Sequence, residues 1–129
     1  MLKVGLTGNI ASGKSIVQSY IEKKGIPVID ADWICHRLMD DNKEVIEKIK
    51  NLFPNEDIFL EDGRLGRHKI GLIVFADPEK MEALEDILHP LVEKRINEFF
   101  EENENEEIVV ASVPVSYTHL RAHETCADL

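Results

Sequence analysis

A chain of 129 residues that is 43% hydrophobic and 31% charged can bury one real core and is too apolar to be disordered. Its formal net charge of −10 argues against a nucleic-acid backbone or an anionic membrane surface as partner. No run is long and apolar enough to span a bilayer, and the N-terminus has no signal-peptide layout, so the expectation is a soluble cytoplasmic protein.

The first predicted element is a strand at Leu2–Thr7 (LKVGLT). Residues 8–15 (GNIASGKS) follow it, and then a helix pattern runs to Lys24 and stops at Gly25, a residue type suited to the left-handed turn after a helix. A short apolar strand, Ile26–Ile29, leads to Asp30 and Asp32, and a helix is predicted over Trp33–Met39 with Asp32 placed to cap it. The next helix covers Lys43–Phe53, with Val45, Ile46, Ile49, Leu52 and Phe53 on one face. Pro54–Gly66 is polar and broken and reads as a loop, and a helix then spans Arg67 to Phe75. Asp77-Pro78 opens another helix as cap and first residue. Its apolar positions (Met81, Leu84, Leu88, Leu91, Val92, Ile96, Phe99, Phe100) keep helical spacing to about Glu102, with a kink or split expected at His89 before Pro90. The acidic run Glu101–Glu107 is a solvated surface, and the third strand is Ile108–Val113. Strands alternating with helices predict an α/β fold with a parallel sheet. The cysteines, Cys35 and Cys126, have no metal-ligand spacing, and Cys35 reads as a small buried hydrophobe.

The stretch GNIASGKS carries the chemistry. It fits G-x-x-x-x-G-K-[ST], the phosphate-cradling P-loop, and it lies between a strand and a helix, as that motif requires. Gly8 and Gly13 permit backbone angles that other residues resist, so the amides from Ala11 through Ser12 to Ile16 can turn inward as a nest. The helix N-terminus adds unpaired N–H groups. Lys14 is positioned to reach the outer phosphates of a triphosphate, and the Ser15 hydroxyl to ligate Mg²⁺. In a parallel sheet, ligands bind outside the carboxyl ends of the strands, so Asp30 and Asp32 belong at the same edge. There an aspartate can accept the proton of an attacking hydroxyl, a role that Asp32 can combine with capping a helix.

Four stretches, in order and with natural spacing, resemble one family: GLTGNIASGKS (5–15), VIDADWICHRLM (28–39), GRLGRHKIGLIVF (63–75) and LEDILHPLV (84–92). Together they resemble dephospho-CoA kinase over residues 1 to about 114. The resemblance implies a P-loop nucleotide-kinase-like parallel sheet flanked by helices, with about three strands present and a helical substrate-binding region at about 40–100. It implies ATP-dependent, Mg²⁺-assisted phosphorylation of the ribose 3′-hydroxyl of dephospho-CoA, with Lys14 and Asp32 catalytic and Asp32 as base. It also implies that Arg67 faces the acceptor and that His89-Pro90 forms a turn in the substrate region; taken alone, Arg67 is a surface charge and His89 a helix-end histidine. Asn9 and Ala11 stand where the family loop is richer in glycine, and Ile16 where threonine is common, which leaves its backbone amide as the working group. Gly66 precedes Arg67 where the family usually has an acidic or amide residue. Two other readings remain: a different P-loop nucleoside or nucleotide kinase, and a non-catalytic nucleotide-binding fragment.

Beyond Pro114 the residues 115–129 (VSYTHLRAHETCADL) show neither helical nor alternating pattern and match no family motif. The expectation is a kinase domain that stops at 114 followed by a non-native tail, lacking lid arginines, and therefore weak in ATP binding, poor in turnover and prone to aggregate through open sheet edges. His119 and His123 have i, i+4 spacing but no evident third ligand, so no metal site is assigned to them.

Overall fold

The computed structural model describes residues 2–7 and 13–113 in full and the backbone of 125–128. The elements are β1 (Leu2–Thr7), α1 (Lys14–Lys23), β2 (Val28–Asp30), α2 (Ala31–Asp41), α3 (Lys43–Leu52), α4 (Arg67–Ala76), α5 (Pro78–Glu102), β3 (Ile108–Ser112) and β4 (Thr125–Asp128). They fall into two compact units, one of Met1–Asp32 with Glu93–Leu129 and the other of Trp33–Val92.

The first unit is built on a parallel sheet of order β2-β3-β1-β4. Its second strand in the order, β3, is an unbroken buried run: Val109, Val110, Ala111 and Ser112 are all at most 2% exposed. A parallel strand covered on both faces reads this way, as a continuous apolar segment without alternation. From the last stretch of α5, Ile96 and Phe100 are buried in this unit, and the ammonium of Lys3 lies 5.1 Å from the ring centre of Phe100. The first helix ends as its sequence implies, with Gly25 in the left-handed region at a φ of 81° and its N–H donating to Glu22 O at 3.0 Å.

β4 departs from the sequence reading, which found no element in residues 115–129. Val4 through Thr7 of β1 pair in register with Thr125 through Asp128. Such pairing runs through backbone amides and carbonyls and needs no side-chain pattern, so a four-residue strand at a sheet edge leaves little trace in sequence. The tail residues before it, including His119 and His123, lie outside the described residues, as do the side chains of β4, Cys126 among them.

The second unit is helical. Met39, Val45, Ile49, Phe53, Ile58, Leu65, Ile70, Val74, Leu84 and Leu88 form one buried cluster. Full burial of each of these larger side chains contributes about 1.5–3 kcal/mol. Cys35 packs half-buried against the cluster, less enclosed than expected. Asn42 caps α3 by accepting from Val45 N–H at 3.0 Å, and Asp77 caps α5 by accepting from Glu79 N–H at 3.2 Å. The predicted loop 54–66 contains a tight reversal: Gly66 N–H donates to Ile58 O at 2.6 Å, Leu60 N–H to Arg64 O at 2.7 Å, and Gly63 turns at a φ of 87°. This reversal delivers Ile58 and Leu65 into the core, each at most 3% exposed.

The expected split at His89 is absent, because α5 runs unbroken through Pro90. Proline removes the bond to the carbonyl four residues back, Asp86. Both Pro90 and Asp86 are on the exposed side, where water can satisfy that carbonyl, while Leu84, Leu88 and Val92 hold the buried side in place.

Candidate active site

The register of the sheet fixes the geometry of the site in the first unit. Leu6 pairs with Ser112, and Ser112 with Asp30, so the three lie in one row across β1, β3 and β2. Two strand spacings separate Leu6 from Asp30, roughly 10 Å. All three strands run in the same direction, so the exit of β1 toward the P-loop and the end of β2 share one edge of the sheet.

At that edge α1 begins. Gly13 precedes it with a φ of 84° and a ψ of 11°, and no side chain caps the helix. An L-residue with a Cβ resists this left-handed conformation, which is the physical reason for glycine here. The first helical residue, Lys14, is only 7% exposed and has no carboxylate partner among the described residues. A buried cation without an acid is costly unless an anion arrives. Ser15 next to it is exposed, with its hydroxyl available to a ligand. Ile16 behaves differently from expectation: its N–H donates to Gly13 O at 3.1 Å, so it could serve a phosphate only by sharing that hydrogen, and its side chain is 77% exposed. Gly8, Ala11 and Ser12 of the predicted cradle lie outside the described residues.

The two aspartates where β2 passes into α2 divide their work in a way the sequence did not reveal. Helix α2 starts at Ala31, earlier than predicted, and it is Asp30 that caps it, accepting from Asp32 N–H through Oδ1 at 2.9 Å. Asp32 is therefore not the cap. It sits in the first turn with its side chain exposed and with no recorded partner for its carboxylate among the described residues. The other member of the row, Ser112, is fully buried, and its Oγ has no hydrogen-bond partner among the described residues. A lone hydroxyl ending the apolar run IVVAS was the sequence signal for it.

These donors suit a magnesium nucleotide. No group of three or more His, Cys, Asp or Glu able to hold a metal occurs among the described residues. An ion bound here would draw its ligands from phosphate oxygens, water and one hydroxyl, as Mg²⁺ does. A cavity of about 240 Å³ lined by Gly25, Ile26, Pro27, Glu106, Glu107 and Ile108 sits at the opposite edge, beside the amino ends of β2 and β3, and its glutamates would repel a polyphosphate.

Arg67 and His89 belong to the second unit. Arg67 opens α4, and its Nη1 lies 3.3 Å from Asp40 Oδ2. His89 is inside α5, not in a turn, with its Nε2 3.9 Å from Glu85 Oε2 one helical turn back. Asp40 was not singled out in the sequence; an acidic residue in the last turn of a helix, where the dipole disfavours it, was the available signal.

Comparison with known proteins bears on the family of the chain. The family model of dephospho-CoA kinase matches residues 2–126. The chain belongs to the dephospho-CoA kinase family. The match runs past Pro114, where the resemblance was expected to end. A dephospho-CoA kinase of Listeria monocytogenes is 39% identical over 122 residues, covering 92% of this chain and 60% of that protein. One from Shouchella clausii is 36% identical over 118 residues, covering 90% and 59%. Among solved structures, a Thermus thermophilus protein superposes with a TM-score of 0.70 at 36% identity, covering 92% of this chain and 58% of that one. The dephospho-CoA kinase from Campylobacter jejuni gives 0.66 at 29% identity, covering 87% and 56%. The chain thus spans about 60% of the length of these curated relatives. Among the described residues no helix is long and apolar enough to cross a membrane.

Proposed function

We propose that this chain carries the phosphate-gripping and acceptor-activating part of an ATP-dependent dephospho-CoA kinase, which transfers the γ-phosphoryl group of ATP to the ribose 3′-hydroxyl of dephospho-CoA. Lys14 and the amides that open α1 hold the outer phosphates, and the Ser15 hydroxyl is the protein's ligand to Mg²⁺. The cation supplies neutralisation of charge on the phosphate oxygens. Asp32 accepts the proton of the 3′-hydroxyl as that oxygen attacks, and Arg67 and His89 contact the acceptor. The family supports the substrate pair. The observation that carries the role of Asp32 is the hydrogen bond from its own N–H to Asp30 Oδ1 at 2.9 Å. Since Asp30 discharges the capping duty, the exposed carboxylate of Asp32 is left with only a helix-dipole interaction and is available to an acceptor.

The test is ADP release by the purified 129-residue chain with Mg²⁺, ATP and a panel of acceptors. Dephospho-CoA should support slow turnover and other nucleosides should not. Asp32→Asn should lower that turnover by about 10²–10⁴-fold, the range of a general base, with the affinity for dephospho-CoA nearly unchanged. Equal turnover of unrelated nucleosides would reject the acceptor, and full activity of Asp32→Asn would reject the base. ATP binding with no turnover of any acceptor would reduce the chain's role to nucleotide binding.

A further inference from the structure

Asp40 and Arg67 each carry their charge at the unfavourable end of a helix. Asp40 is in the last turn of α2, which contains no basic residue and where carbonyl dipoles repel an anion. Arg67 is the first residue of α4, where the N–H groups repel a cation. The neighbouring Asp41 is compensated locally by Arg37, 2.9 Å away and one turn back. Asp40 instead reaches 27 residues along the chain, and both its oxygens share one nitrogen of Arg67, Nη1, at 3.5 and 3.3 Å. The Arg67 and Asp40 side chains are 44% and 28% exposed, so solvent screens the pair and it adds little to stability. What it fixes is orientation. Nη1 is held, while Nε and Nη2 make no hydrogen bond among the described residues. Those two nitrogens form the fork that matches a pair of phosphate oxygens.

We propose that Asp40 is a positioning residue: by anchoring Nη1 it keeps the Nε–Nη2 fork of Arg67 ordered and open for a phosphate oxygen pair on the acceptor substrate. This rests on the reading of Arg67 as an acceptor contact, and two charges placed against their helix dipoles form an arrangement that folding alone does not favour.

The experiment uses the full 129-residue chain as wild type, Asp40→Ala, Asp40→Glu and Arg67→Gln. It measures ¹⁵N relaxation of the Arg67 Nε–H, affinity for dephospho-CoA and for ATP, and the thermal midpoint. Arg67→Gln should weaken dephospho-CoA binding by about tenfold or more, as loss of a charge-assisted bond does. Asp40→Ala should weaken it by about threefold to tenfold, a fraction of that bond, while ATP affinity holds. Its Arg67 Nε order parameter should fall below about 0.6, into the flexible range. The midpoint of Asp40→Ala should stay level or rise, because an anion has left a helix C-terminus; a merely structural residue would lower it. Asp40→Glu should restore both order and affinity. An Arg67 Nε equally mobile in wild type and Asp40→Ala, or unchanged binding in Asp40→Ala beside weakened binding in Arg67→Gln, overturns the role of Asp40. Unchanged binding in Arg67→Gln instead overturns the acceptor reading of Arg67, and the proposal with it.

Discussion

The two units of this chain use the same side-chain types for opposite ends. In the helical unit of residues 33–92, ten buried side chains make one cluster, most of them at helical spacing, while Leu72 and Phe75 of α4 are left exposed. In the sheet unit the departures from such order gather at one edge: a glycine at a φ of 84°, a lysine 7% exposed at the start of a helix, a buried serine whose hydroxyl has no partner among the described residues, and an exposed aspartate close to another that caps. A region whose departures from local rules are scattered, as at Pro90 and the Asp40–Arg67 pair, is largely accounted for by folding. One that breaks several of them within a few residues holds those costs for a ligand.

The largest expected effect tests the helical side of this contrast. Ile49 is 0% exposed and central to the cluster, so Ile49→Ala should cost about 2–5 kcal/mol through lost burial and a residual cavity. Native-state hydrogen exchange locates the damage. Amides of α3 and α4 should lose protection while those of β1 and β3 keep theirs. Equal loss in both places would mean that the two units unfold together and that the contrast has no energetic counterpart.

A smaller effect sharpens the sheet side. Asp30→Ala removes the acceptor for Asp32 N–H and should cost about 1 kcal/mol, the usual loss for a helix cap. Asp32→Ala removes an exposed carboxylate from the first turn and should cost less than that, about 0.3–1 kcal/mol of helix-dipole interaction. Urea denaturation of the two variants ranks them. If Asp32→Ala proves the more destabilising, Asp32 is the structural aspartate and the division of labour drawn above is reversed.

How much of this was legible in sequence follows the same line. Periodicity marked Val45, Ile49 and Phe53 for the core, along with Leu84, Leu88, Val92, Ile96 and Phe100, and all are buried. It could not mark Ile58 and Leu65, because their inward direction comes from the hydrogen-bonded reversal at Gly63 and not from any spacing. The P-loop was legible because glycine, lysine and serine at fixed positions have few other reasons to coincide. Which aspartate caps α2 was not, since Asp30 and Asp32 are the same residue type two positions apart, and only the true start of the helix at Ala31 separates them. β4 and the Asp40–Arg67 pair were invisible for a shared reason: both depend on partners distant in the chain.

The smallest effect lies in the reversal that sequence reading passed over. Asp62 Oδ1 accepts from Arg64 N–H at 3.1 Å and Oδ2 from Arg64 Nε at 2.8 Å. The backbone N–H of Arg64 first, and its side chain second, favour the ionised carboxyl and hold Asp62 below its ordinary value of 3.8. A carboxyl whose value is depressed on folding adds stability that is fully present above the unfolded value. That contribution is lost as pH falls from about 3.8 through the folded value. Both side chains are more than half exposed, so the contribution is small. A carbon-detected NMR titration should show Asp62 titrating below the ordinary value in wild type and moving toward it in Arg64→Ala, which keeps the backbone donor. Asp62→Asn keeps an oxygen for the Arg64 N–H while removing the charge, so it should flatten the stability profile only below the ordinary value and leave the packing of Ile58 and Leu65 intact at neutral pH. A loss of stability at pH 7 in Asp62→Asn comparable to that of Ile49→Ala would mean that the charge itself builds the reversal, and that packing of Ile58 and Leu65 does not hold this turn.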